Sequence, residues 1–294
     1  MIGLALRILA RALALLPLRL LHAAAVPAAR GLGWLPWKKH AVARRNLAVC
    51  FPDWAPGERK RLERAQRVEL LRLASELGAL AHWSEARLDR HLVAEHGWRH
   101  VEAGLASGRG VLVVSAHLGN WELLNLELSR RTPMVTLYLA PERKSVDQFI
   151  TRVRSRFGAR MVPSGSAAMR QLLRQLRNGG AVGIAADIQP KQGEGVFVPL
   201  FDTPALTMTL VNRLARKTGC EVIFCWAERH AGRGWSLHFQ PAGPAIAGPD
   251  PDEALVPMNR WLAERIRRAP AQYLWIYKRF SRRPQGEARF YPKD

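Results

Sequence analysis

The sequence predicts an α/β protein: a mostly parallel central sheet flanked by helices, preceded by an N-terminal membrane-associated helix. Three observations predict it. Short apolar runs recur at 111–115, 133–139, 181–186, 221–227 and 235–239. Stretches of helical period at 121–130, 145–157, 166–178, 207–217 and 253–268 alternate with them. That alternation puts parallel strands in one sheet with helices over both faces. The third observation is that residues 2–29 are rich in Leu and Ala and contain no acid. A chain of 294 residues, 48% of them hydrophobic, has room for one large α/β domain and a helical preface. The reading divides it into an N-terminal helix (1–30), a helical preface (31–107) and an α/β domain (108–294).

At the N-terminus, Arg7, Arg11, Arg19 and His22 fall within roughly one third of a helical wheel, and Leu, Ile and Ala fill the opposite side. This predicts an interfacial amphipathic helix, with a marginal span carrying snorkelling arginines as the alternative. Arginines inside the apolar region argue against a secretory signal. After Pro52 an amphipathic helix is expected from Glu58 to about Trp83, with Leu62, Val68, Leu71 and Leu77 among its apolar positions. A helix near 98–107 ends at Gly108, where the sheet begins. Residues 229–252, rich in Gly, Pro and Ala, read as a hairpin and loop.

The formal charge is +21, and Asp53 is the first acidic residue. Such a field attracts anionic lipid, nucleic acid or an acidic protein. Tryptophans near arginines (Trp34, Trp37, Trp98, Trp275) suit a membrane interface, with core packing as the default explanation for any one of them. Cys50, Cys220 and Cys225 have neither zinc spacing nor a disulfide framework. No metal or cofactor is expected.

The segment richest in chemistry is Val111-Leu-Val-Val-Ser-Ala-His-Leu-Gly-Asn-Trp-Glu122. An apolar strand delivers His117 onto a Gly-Asn turn, Asn120 is placed to cap the next helix, and Glu122 falls in its first turn. Five residues apart, His117 and Glu122 do not share a face of one helix, but they can meet across a strand–turn–helix junction. The pair is then a general base with an orienting carboxylate. In the simpler reading Glu122 is a helix-start carboxylate and His117 a turn residue. The position at the C-terminal end of a strand, where open α/β sheets bind ligands, favours the first. There is no Gly-x-Ser-x-Gly elbow.

Five segments together resemble the late acyltransferases of lipid A biosynthesis, the lauroyl/myristoyl transferase family. They are Arg45-Asn-Leu-Ala-Val-Cys-Phe-Pro52, Ser115-Ala-His-Leu-Gly-Asn-Trp-Glu122, Arg156-Phe-Gly-Ala-Arg160, Gly195-Val-Phe-Val-Pro-Leu-Phe201 and Gln272-Tyr-Leu-Trp-Ile-Tyr-Lys-Arg-Phe280. The likeness runs from residue 38 to 291. It implies a glycerophosphate-acyltransferase-like fold, and transfer of an acyl chain from an acyl carrier protein thioester to a hydroxyl of a lipid A precursor. It also implies an enzyme on the cytoplasmic face of the inner membrane, with no nucleic-acid partner. By the same resemblance His117 is the base and Glu122 its partner. Arg154 stands where the family keeps an arginine near the reacting carbonyl, and Asp187 takes its first acidic position after strand 181–186. Arg154 and backbone N–H groups near Gly119 are the candidate oxyanion donors, and Asp187 would hold either Arg154 or His117. Asn120, Arg143 and Arg279 are candidate substrate contacts, with Lys278, Arg282 and Arg283 as further cations for acceptor phosphates. Where the family often has Asp-x-Asp, this chain reads Asp187-Ile-Gln189. Leu139-Ala-Pro-Glu-Arg143 and Tyr277-Lys-Arg-Phe280 also depart from the family pattern. The rival functions are acylation of another glycolipid or aminolipid, a thioester hydrolase, and a non-catalytic protein that binds anionic membranes.

Overall fold

Pro17 divides the N-terminal segment into two helices, α1 (Ile2–Leu15) and α2 (Leu18–Leu32). The computed structural model describes residues 2–32, 38–165 and 167–291. At 1.5 Å per residue the 14 residues of α1 rise only about 21 Å, short of a hydrocarbon core of about 30 Å. Among the described residues no helix is long and apolar enough to cross a membrane. The polar stripe expected of Arg7, Arg11, Arg19 and His22 is not kept, because the three arginines are exposed but His22 is buried. Leu18, Leu21, His22, Ala25 and Ala29 face inward on α2, whereas Leu4, Ile8, Leu9, Leu15, Leu16 and Leu20 are exposed. Trp34 and Trp37, expected at a membrane interface, lie outside the described residues.

Next come α3 (Lys38–Cys50), α4 (Pro56–His82) and α5 (Glu85–Asp89). Pro56 opens α4, and the Glu58 carboxylate reaches back to accept the Ala55 N–H at 2.8 Å. α1 packs on α4 at Gly78, where a Cβ would stand 2.5 Å from the Ala10 carbonyl oxygen. The chain continues through β1 (Leu92–His96), α6 (Trp98–Ala106), β2 (Val111–Ser115), α7 (Trp121–Arg131), β3 (Met134–Tyr138), α8 (Lys144–Arg154) and β4 (Arg160–Pro163). Then follow α9 (Ala168–Arg177), β5 (Ala181–Ala185), β6 (Gly195–Leu200), β7 (Thr203–Met208), α10 (Leu210–Thr218), β8 (Glu221–His230), β9 (Gly234–Pro241), α11 (Pro251–Ala254) and α12 (Val256–Arg268).

Among the described residues seven strands form one sheet in the order β1-β9-β8-β2-β5-β3-β4. Only β8 and β9 pair antiparallel within it. The mostly parallel sheet flanked by helices is thus as the sequence predicts. Alternate strand residues feed two apolar layers. Leu112, Val114, Val182 and Ile184 face α9, α10 and α12. Val111, Val113, Ala181 and Ile223 face α7.

The sequence reading misses β1, β4 and the β6–β7 hairpin. β1 is an edge strand with no fully buried residue, and β4 buries only Val162. Neither gives the apolar run that marks a strand. The helix expected at 207–217 starts at Leu210, because Thr203–Met208 is the second strand of the hairpin. The helix expected at 253–268 is two helices parted at Leu255, because Pro257 has no N–H to donate back to the Glu253 carbonyl.

Candidate active site

The site starts from a strand register. β2 and β5 are parallel neighbours, with Ser115 opposite Ala185. The Ala186 N–H extends the ladder by donating to the Ser115 carbonyl at 2.8 Å. His117 and Asp187 lie equally far beyond this pair, so they emerge side by side. Asp187 Oδ1 lies 3.0 Å from His117 Nδ1, and Oδ2 accepts the His117 backbone N–H at 3.0 Å. These contacts put the ring proton on Nδ1 and leave the Nε2 lone pair for a substrate. Burial lowers the affinity of the imidazole for a proton. The Asp187 charge and, more weakly, that of Glu122 outweigh it, so the pKa of His117 rises above 6.5. Burial opposes ionisation of Asp187 as well, but His117 wins and its carboxyl titrates below the ordinary 3.8.

Glu122 lies in the first turn of α7, as expected, but it does not hold His117. Arg154, at the end of α8, grips it with a fork: Nε donates to Oε2 at 2.8 Å and Nη2 to Oε1 at 2.7 Å. Trp121 Nε1 adds a bond of 3.0 Å to Oε1. The carboxylate paired with His117 is therefore Asp187, and Glu122 pairs with Arg154. The physical reason is that β5 brings a carboxylate directly beside Nδ1, while the first turn of α7 aims Glu122 at α8. Burial alone would raise the Glu122 pKa; the Arg154 guanidinium reverses that and holds it below its usual value. The Trp121 ring stands edge-on to His117, with centroids 4.9 Å apart.

The turn between His117 and α7 has little freedom. Gly119 has φ of +68°, and a Cβ there would lie 1.9 Å from the Ala227 carbonyl oxygen. The Gly119 N–H donates to Gln272 O, that of Asn120 to Ala227 O and that of Leu118 to Ala116 O. These amides are committed to the scaffold, so the expectation of backbone oxyanion donors near Gly119 is not met. Arg154, with 18% of its side chain exposed, remains as the charged donor at the site.

Two expected substrate contacts are corrected. Asn120 is wholly buried; its Oδ1 caps α7 through the Leu123 N–H and its Nδ2 donates to Glu76. It is the helix cap that the sequence also suggested, out of reach of a ligand. Arg279 is 2% exposed, with Nη1 on the Leu206 carbonyl and Nη2 on Thr207 Oγ1. It ties the C-terminal segment to the β6–β7 hairpin. Arg143 is exposed at the start of α8, outside the cavity lining. Arg282 donates to Gln192, and Arg283 to Pro204 O and Glu287.

His117, Glu122 and Arg154 line a cavity of about 850 Å³. On the α7 side its wall includes Val113, Leu124, Leu128, Met134 and Gly183; on the α9 side it includes Leu137, Met169, Leu172 and Ile184. Basic groups at its edge include Lys191 and Arg213. Sequence reasoning misses Trp121, whose ring stands against His117. Among the described residues no group of three or more His, Cys, Asp or Glu is arranged to hold a metal ion.

A family model described as bacterial lipid A biosynthesis acyltransferase matches residues 2–282. The chain is 28% identical over 256 residues to the lipid A biosynthesis palmitoleoyltransferase of Escherichia coli (strain K12), covering 86% of this chain and 82% of the relative. It is 28% identical over 251 residues to the lipid A biosynthesis lauroyltransferase of the same strain, covering 85% and 81%. A phosphatidylinositol mannoside acyltransferase of Mycobacterium tuberculosis (strain ATCC 25618 / H37Rv) is 31% identical over 160 residues, 52% of this chain and 49% of that one. With the family model running almost from end to end, the chain is an O-acyltransferase that belongs to the bacterial lipid A biosynthesis acyltransferases.

Proposed function

We propose that the protein moves a fatty acyl chain from an acyl carrier protein thioester to a hydroxyl of a lipid A precursor, at the cytoplasmic face of the inner membrane. The observation that carries the reading is the His117–Asp187 pair at the wall of a cavity lined largely by apolar side chains. His117 Nε2 takes the hydroxyl proton as the oxygen attacks the thioester carbon. Asp187 fixes the tautomer and stabilises the imidazolium that forms. The carbonyl oxygen gains negative charge next to Arg154, which Glu122 holds in place. The C–S bond breaks, and the imidazolium returns its proton to the departing thiolate. Transfer is direct, with no covalent acyl-enzyme.

The apolar cavity suits an acyl chain, since burying each CH2 is worth roughly 0.8 kcal/mol. The net charge of +21 suits both an acidic carrier protein and a phosphorylated acceptor. The exposed leucines of α1 and α2 suit the boundary between headgroups and acyl chains. The likeness to a mannoside acyltransferase supports a second reading, in which the chemistry is the same but the acceptor is a different glycolipid.

The test supplies purified enzyme with acyl carrier protein thioester and a panel of acceptors. Lipid A precursor should be acylated, and His117→Ala should lower turnover by roughly 10³-fold or more while both substrates still bind. An unacylated precursor beside an acylated mannoside lipid would move the assignment to the second reading. Full turnover by His117→Ala would remove the base.

A further inference from the structure

A buried polar cluster stands directly behind the catalytic turn, and the acyl-transfer steps leave it unused. At its centre is Glu76 of α4, wholly buried. Its Oε1 accepts from His22 Nε2 at 2.8 Å, Arg229 Nε at 2.7 Å and Trp235 Nε1 at 3.1 Å. Its Oε2 accepts from Arg229 Nη2 at 2.6 Å and Asn120 Nδ2 at 2.9 Å. Burial works against ionisation, but Arg229 and the hydrogen bonds overcome it, and Glu76 titrates below its ordinary value.

The amide partner belongs to the turn, and the cationic one reaches it from β8. Asn120 is the cap of α7. Arg229 Nη2 also reaches the Gly119 carbonyl at 3.4 Å, and Nη1 reaches Glu69 at 3.0 Å. The Arg229 backbone N–H and C=O are both bonded to the Gln272 side chain at 2.9 Å, and the Gln272 carbonyl accepts the Gly119 N–H. His22 arrives from the other direction, on α2. Its Nδ1 accepts the Gly232 N–H at 2.8 Å, which leaves the ring proton on Nε2, directed at Glu76.

We infer that Glu76 is a positioning residue for the catalytic turn and that His22 helps to hold it, so the N-terminal helix pair is part of the catalytic scaffold. A fully apolar contact would stabilise the fold as well as a buried ion pair does. What the charges add is direction. Every lone pair used on Glu76 fixes the place of a donor, and two of those donors set Gly119 and Asn120, just after the base. Removing one donor leaves a carboxylate in a dry site, free to draw the others toward it.

The inference rests on His117 being the base. Its test is His22→Ala in the full-length enzyme, assayed for kcat and KM with the dispersed substrates named above, and for binding to anionic vesicles. kcat should fall by about 10- to 100-fold while KM for both substrates stays within about twofold, because a small misplacement of the base costs rate and not binding. Vesicle binding should be unchanged. His22→Gln should recover kcat to within about threefold, since its amide offers a donor for Glu76 and an acceptor for Gly232. Wild-type kcat in His22→Ala overturns the inference, as does a His22→Gln enzyme no better than His22→Ala. If His22→Ala does not fold, Trp235→Phe removes a different donor from the same carboxylate; lowered kcat with unchanged KM supports the inference and wild-type kcat overturns it. His117→Ala run alongside separates the two readings. If it keeps turnover, the base assignment fails; if it is inactive beside a wild-type-like His22→Ala, only this inference falls.

Discussion

Replacing Asp187 by asparagine exchanges one oxygen for an NH2 and reverses which ring nitrogen of His117 carries the proton. In the wild type one carboxylate oxygen takes the His117 backbone N–H and the other takes Nδ1–H, both at 3.0 Å. The backbone N–H is a fixed donor and claims the single amide oxygen of asparagine. The NH2 then faces Nδ1, which must accept, so the proton moves to Nε2 and the base is blocked. Restoring the working tautomer sets two N–H groups against each other and strands a buried donor, at a cost of about 1–3 kcal/mol. Loss of the charge that stabilises the imidazolium adds to this. The expected fall in kcat is roughly 10³- to 10⁴-fold, or about 4–5.5 kcal/mol of barrier, with KM little changed. The assay is initial-rate transfer over a pH series. Wild-type kcat/KM should rise with pH through a value above 6.5, because net interactions elevate the His117 pKa. The residual activity of Asp187→Asn should rise at lower pH than the wild type. Stability follows the opposite window: the elevated imidazole and depressed carboxyl make the pairing fully stabilising between about pH 3.8 and 6.5. It fades as pH falls through the depressed carboxyl value or rises through the elevated imidazole value. An Asp187→Asn enzyme within tenfold of wild type would refute the reasoning. So would an acid limb that moves in Glu122→Gln and stays fixed in Asp187→Asn.

Two further outcomes are expected. A Cβ at Gly183 would stand 2.3 Å from the Cε of Met134, the flexible end of a side chain that lines the α7 side of the cavity. Gly183→Ala should therefore push that methyl group into the cavity and shift the preferred acyl chain shorter by about two carbons. A panel of donors of graded length checks this, and an unchanged preference counts against acyl binding on that side. Leu15 and Leu20 are 79% and 56% exposed. Changing each to serine should weaken binding to anionic vesicles by about 2 kcal/mol, roughly thirtyfold, with the melting temperature unmoved. Vesicle sedimentation measures it, and unaltered partition would show that another surface meets the lipid.

The central strands β2, β5 and β8 are legible because each is nearly continuous in buried apolar residues. β1 and β4 are not, since edge strands carry too few buried side chains to stand out. His117 is legible from its strand–turn–helix setting, and Asn120 as a cap from its residue type. The partner of His117 is not. Asp187 is 70 positions away, and only the pairing of β2 with β5 makes the two residues neighbours. Glu122, close in sequence, is the natural local choice, and the aim of α7 denies it that role. Arg279 sits in a run of cations that looks like a solvated or phosphate-binding stretch, and tertiary packing buries it. Glu76 reads as one more polar residue of an amphipathic helix. Its burial becomes visible only when His22, Arg229 and Trp235 converge on it from three separate segments.

The cavity has a consequence through its path around the end of β5. Gly183 and Ala185 face one layer of the protein and Ile184 faces the other, yet all three border the same void. Its walls are therefore drawn from both faces of the sheet, with His117 among them. A substitution on one face alters its own wall and leaves the residues of the opposite wall in place, so the two walls are separable targets for redesign.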